Sequence, residues 1–120
     1  MGLRDVHVAW AWIVVVANGL AGLWALGADR WEALRHRALW WFTAFAEVAI
    51  VVQAVLGTVV LNSQGGDPPQ FHMLYGFAAL AAVGIIYSYR QLAGRLHLLY
   101  GLGGLFLMGL AIRAMTITGR

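Results

Sequence analysis

Polar and charged residues in this chain fall in bunches, and the sequence between the bunches is almost wholly apolar. Four apolar stretches result. Val8 to Ala28 gives 21 residues without a charge, and Ala38 to Leu61 gives 24 with the single acid Glu47. Phe71 to Tyr89 gives 19 without a charge, and Leu96 to Ile117 gives 22 with the single base Arg113. About 20 apolar residues in a helix cover a hydrocarbon core of about 30 Å. Each stretch therefore predicts one membrane-spanning helix, over residues 7–28, 38–61, 71–90 and 96–117. The links between them are short: the charged run Asp29 to Arg37, the stretch Asn62 to Gln70 with two Gly and two Pro, and the basic turn Arg90 to Arg95. Short links make consecutive helices antiparallel. The expected fold class is all-α integral membrane, an up-down four-helix transmembrane bundle in which residues 1–120 form one membrane domain.

Composition sharpens this picture. Hydrophobic residues make up 62% of the 120 positions and charged residues 11%, against about a quarter charged in an ordinary soluble domain. So few charges cannot cover a water-exposed surface, which excludes a water-soluble enzyme, a nucleic-acid-binding domain and a disordered tail. The absence of Cys excludes disulfides, zinc–thiolate sites and iron–sulfur clusters. The net charge of +3 comes from eight Arg and no Lys. Arg30, Arg35, Arg37, Arg90 and Arg95 lie on the side of the first and third links, whereas Arg4, Arg113 and Arg120 lie on the other. That imbalance predicts cytoplasmic first and third links, with both termini and the Gly/Pro stretch outside. The first helix is too long, and lacks the preceding basic region, for a cleavable signal. All six Trp fall near predicted helix ends, as interfacial belts require. The expected location is a bacterial plasma membrane, multi-pass, with the lipid bilayer as partner and no nucleic acid.

Candidate chemistry sits at the helix starts. His7, His36, His72 and His97 each lie at or near the N-terminus of a predicted helix. Because the helices alternate in direction, His7 and His72 fall at the outer end and His36 and His97 at the inner end. Helices 1 and 3 are diagonal in such a bundle, as are helices 2 and 4. Each diagonal thus offers two imidazoles at one depth, an arrangement suited to axial ligation of haem iron. The His7 face continues through Ala11, Val14, Asn18 and Gly22, and the His72 face through Tyr75, Gly76, Ala79 and Val83, small enough in places for a flat macrocycle. The outer pair is the primary candidate, and His36 with His97 the second. The plainer reading is that interfacial His is solvated by headgroups and bonds to the loops. Glu47 lies near mid-membrane, where a carboxylate costs several kcal/mol and must face the interior or be neutral. Asn18, at similar depth on helix 1, is its natural partner. Glu47 reads either as a proton-relay or substrate-contacting group or as an interhelical hydrogen bond. Arg113 either snorkels to the outer headgroups or meets a buried anion such as a haem propionate. An echo, His-x-Leu-Tyr-Gly, opens helices 3 and 4 at His72 to Gly76 and His97 to Gly101.

The segment Gln53-Ala54-Val55-Leu56-Gly57, followed by an outer loop and then His72, resembles the haem A synthase family. Each four-helix half of that family carries a Gln-x-x-Leu-Gly helix followed by a helix with an outer haem-ligating His. Its second ligand lies at the outer start of the helix before, where this chain has His7. The resemblance covers residues 47–76. It implies one four-helix half holding a single haem b, with Gln53 and Gly57 bordering the slot. The family has a Glu three residues before its first His and an Arg after it; Arg4 and Val8 stand there instead. The diagonal His pattern is also similar to transmembrane b-type cytochromes.

Three functions follow as expectations. The first is a small membrane b-type cytochrome or haem-handling protein with an outer bis-His haem b on His7 and His72, Arg113 near a propionate, and electron transfer with a quinone or another membrane subunit. The second is a non-catalytic accessory subunit or assembly factor of a larger respiratory or photosynthetic complex. The third is a small proton-coupled transporter using Glu47. None of these makes the chain itself the seat of an enzymatic reaction in the first instance.

Overall fold

The structure is a computed structural model that describes residues 2–64, 70–91 and 94–116. Four helices account for nearly all of them: α1 (Leu3–Arg30), α2 (Arg37–Gln64), α3 (Gln70–Tyr89) and α4 (Leu96–Thr116), with a single 3-10 turn, Glu32–Leu34, between the first two. All four are long and apolar enough to cross a membrane. The predicted helix ends shift by a few residues, most at the ends of α1 and α2. Polar residues at these ends are helical because they satisfy helix termini rather than because they are apolar. The Asp5 carboxylate accepts the Gly2 N–H at 3.3 Å, an acid in the first turn where the helix dipole favours it. Arg35 donates from Nε to the Ala28 carbonyl at 2.6 Å and from Nη2 to the Asp29 carbonyl at 3.0 Å, meeting acceptors that the end of α1 leaves free. Asn62 to Gln64 continue α2, while the rest of that link, residues 65–69, lies outside the described residues. So do Ile117 and Arg120.

Around the bundle the order is α2, α1, α4, α3. The α1–α4 interface is the largest, α1–α2 follows, α3 rests mainly on α4, and α2 and α3 touch least. Helices α1 and α3 are diagonal, as the up-down reading expects, and so are α2 and α4. The buried face of α1 is built from small residues, Ala11, Ala17, Gly19, Ala21, Gly22 and Ala25 among them. This lets the α4 backbone come close. A Cβ on Gly22 would lie 2.9 Å from the Gly101 carbonyl oxygen and 2.9 Å from the Leu105 nitrogen, the small-on-small contact typical of helices packed in lipid. Polar side chains pin α1 to α2: Asn18 Nδ2 donates to the Val14 and Ala46 carbonyls at 2.9 and 3.2 Å, and Trp10 Nε1 donates to the Ala49 carbonyl at 2.8 Å. Arg95, at the start of α4, pairs with Asp29 at the end of α1. Large apolar side chains such as Leu23, Trp41, Phe71, Phe77 and Phe106 point outward. An apolar exterior around a core of Ala and Gly inverts the soluble pattern and suits hydrocarbon.

Candidate functional site: a histidine pair at one end of the bundle

His7, near the start of α1, and His72, near the start of α3, reach toward one another from diagonal helices. Their ring centroids lie 6.1 Å apart with the ring planes at 86°. Both residues are half-buried. His72 Nδ1 lies 2.9 Å from the Ala114 carbonyl oxygen on α4. A carbonyl only accepts, so Nδ1 carries a proton, and in the neutral ring Nε2 keeps its lone pair. Anchoring one ring nitrogen on a carbonyl is how metal-ligating histidines are commonly held.

The His7 side is shaped by α2. Gln53 Nε2 donates to the His7 carbonyl at 2.8 Å. One turn further along α2, a Cβ on Gly57 would lie 3.1 Å from His7 Cε1 and 3.5 Å from Nε2. The imidazole therefore rests against the α2 backbone where glycine leaves room. His7 Nδ1 and Gln53 Oε1 are buried and make no hydrogen bond among the described residues. Of the other expected lining residues, Ala79 is buried and Tyr75 half-buried, with the exposed Arg113 guanidinium 5.9 Å above the Tyr75 ring. Gly76 is exposed, and a Cβ there would meet nothing within 4 Å.

Two imidazoles directed at one metal atom, each about 2 Å from it, put their ring centroids about 6 Å apart. The 6.1 Å spacing of His7 and His72 is close to that value, and with the ring planes at 86° it is equally that of an ordinary edge-to-face ring contact. Among the described residues no group of three or more His, Cys, Asp or Glu is placed to hold a metal ion.

The inner histidines have other work. His36 is exposed, and its Nδ1 accepts the Ala38 N–H at 3.0 Å, capping α2. His97 lies against Trp40, ring centroids 5.2 Å apart. Among the described ring contacts none joins His36 to His97. Nor does Asn18 pair with Glu47: its amide is spent on two backbone carbonyls. Glu47 is half-buried and makes no hydrogen bond or ion pair among the described residues, with Arg90 and Tyr100 within electrostatic reach. Sequence reasoning had no means of finding the Ala114 carbonyl, since a backbone acceptor leaves no side-chain signature. The tilted Trp40–His97 ring contact was reachable only through the diagonal neighbourhood of α2 and α4.

No family model matches this chain, and no curated protein or solved structure matches it. The resemblance to haem A synthases therefore rests on the Gln53, Gly57 and His72 pattern alone.

Proposed function

We propose that this chain is a small membrane b-type cytochrome or haem-handling protein, holding one haem b between His7 and His72. The carrying observation is the 6.1 Å spacing of the two rings, joined to the Ala114 anchor that leaves His72 Nε2 free to ligate. The space kept by Gly57 fits the same assignment. In this reading His7 and His72 supply the axial nitrogens. Gln53 and Gly57 set the height and tilt of the His7 ring, Gly76 leaves its side open, and Arg113 stands at the same end for a propionate. When bound, the haem supplies one-electron exchange at its iron. The Arg distribution supports placing this end outward, both termini outside, in a bacterial plasma membrane.

The test is a reduced-minus-oxidised absorption spectrum of protein purified after expression with ample haem, with a pyridine haemochrome assay for haem type. The wild type is expected to show Soret and α bands of a low-spin b-type haem. His72→Ala should lose them, and His36→Ala should keep them. A second reading, an accessory subunit or assembly factor of a larger membrane complex, is favoured by α3, of which only 17% of the spanning window is buried. A wild-type protein without haem absorbance would refute the first reading and put this one in its place.

A further inference from the structure

Gln53 approaches the histidine pair from α2, and only one end of its amide is accounted for. Its Nε2 donates to the His7 carbonyl at 2.8 Å. A carbonyl only accepts, so this bond fixes which end of the amide is which. Oε1 is left as an acceptor, buried and without a hydrogen-bond partner among the described residues. His7 Nδ1 is buried and unpaired in the same way. A buried polar atom without a partner has given up its hydration uncompensated.

Three observations bring these two atoms together. The Gln53 side chain lies within hydrogen-bonding reach of the His7 ring. The ring turns its nitrogen-bearing edge to α2: a Cβ on Gly57 would lie 3.1 Å from Cε1, 3.5 Å from Nε2 and 3.8 Å from Nδ1. Gln53 stands one turn before Gly57 on α2, so the amide and the ring share one face of that helix.

An amide suits this position for a chemical reason. It donates and accepts at once, so one end can hold a carbonyl and the other an N–H. A lysine or arginine only donates, and an ionised carboxylate only accepts. With Oε1 as its acceptor, His7 carries its proton on Nδ1, and in the neutral ring Nε2 keeps the lone pair. The His72 ring reaches the same state by another route, through the Ala114 carbonyl at 2.9 Å. His36 is the opposite case. Its Nδ1 accepts the Ala38 N–H at 3.0 Å, which leaves the proton of a neutral ring on Nε2.

We propose that Gln53 is the positioning residue of the outer pair, holding the His7 carbonyl with its amide nitrogen and the His7 Nδ1–H with Oε1, so that both imidazoles carry the proton on Nδ1 and offer an Nε2 lone pair. The tautomer of His7 does not depend on haem; the use of its Nε2 as an axial ligand rests on the haem reading.

The experiment reads the tautomers in the full chain, haem-free, with isotope-labelled histidine in phosphatidylcholine bilayers, by magic-angle-spinning nuclear magnetic resonance. At a pH about two units above the ordinary histidine value the rings are neutral. Nitrogen chemical shifts then tell a protonated ring nitrogen from a bare one, and His7→Gln, His36→Gln, His72→Gln and His97→Gln assign the four rings. The wild type is expected to carry the proton on Nδ1 in His7 and His72 and on Nε2 in His36. Gln53→Met, of similar length but without the amide, should lose the Nδ1–H signal of His7 and leave those of His72 and His36 unchanged. Gln53→Leu gives the same reading should the methionine variant not fold. Gln53→Glu keeps an acceptor for the ring and should retain the His7 Nδ1–H signal. His7 protonated on Nε2 in the wild type would overturn the proposal, as would an Nδ1–H signal that survives Gln53→Met and Gln53→Leu. So would a His72 signal that changes along with His7, the mark of a general loosening of the bundle. A protein that never binds haem still yields this result, so failure of the haem reading and failure of this one are told apart.

Discussion

Replacing Gly22 with alanine tests whether α1 and α4 are held at backbone contact. The new Cβ would sit 2.9 Å from the Gly101 oxygen and the Leu105 nitrogen and 3.2 Å from the Gly104 carbonyl carbon. Comfortable separations between non-bonded carbons are about 3.5–4.0 Å. The atoms in the way are backbone and cannot rotate aside, so the two helices must move apart by roughly 0.5–1 Å. They do so along the largest interface in the bundle. Overpacking of this kind costs about 1–3 kcal/mol, and the entropy that alanine recovers relative to glycine in a helix offsets about 0.5–1 kcal/mol. The net expectation is a loss of about 1–2 kcal/mol. Gly19→Ala is the internal control. Its Cβ would lie 2.7 Å from Met108 Sδ, the far part of a flexible side chain that can turn away. That variant should remain within about 0.5 kcal/mol of wild type. Stability is read as the sodium dodecyl sulfate fraction that half-unfolds the protein in dodecylmaltoside, followed by far-ultraviolet circular dichroism. Gly22→Ala matching Gly19→Ala would refute the backbone-contact reasoning.

Further outcomes are expected elsewhere. Gly57→Val should push the His7 ring off the α2 backbone and strip the purified protein of most of its haem while leaving helix content unchanged; full haem occupancy would show that Gly57 does not position His7. Asn18→Ala removes the hydrogen bond from α1 to the Ala46 carbonyl and should cost about 0.6–1.7 kcal/mol in the same unfolding assay. Cysteines at Ala33 and Ser63 should label from opposite faces of intact cells, Ser63→Cys from outside; the reverse pattern would invert the proposed orientation.

The four helices were legible because charge, Glu47 apart, is confined to their ends. Their limits were less so: Arg4, Asp5 and Asn62 are helical although hydropathy alone would end the helices before them, since helix-end bonding costs nothing in apolarity. The small residues of α1 allow a close neighbour, yet which helix supplies it depends on the glycines of α4 lying opposite Gly22. The diagonal relation of His7 and His72 followed from chain direction alone. The partner of Asn18 did not, because a side chain near mid-membrane chooses among carbonyls that no residue type reveals. Thr43 lies one turn before Glu47, but the missing hydrogen bond of its hydroxyl emerges only once helix rotation is known.

The largest interface joins the first helix to the last. A chain entering the bilayer from its N-terminus therefore holds the α1–α2 hairpin long before α4 exists, and α3 waits for α4 as its main support. The Ala114 carbonyl that fixes the His72 ring belongs to the final turns of that last helix. The His72 ring is thus fixed only once α4 is in place, and a chain stalled before α4 would hold His7 on α2 while His72 lacked its anchor.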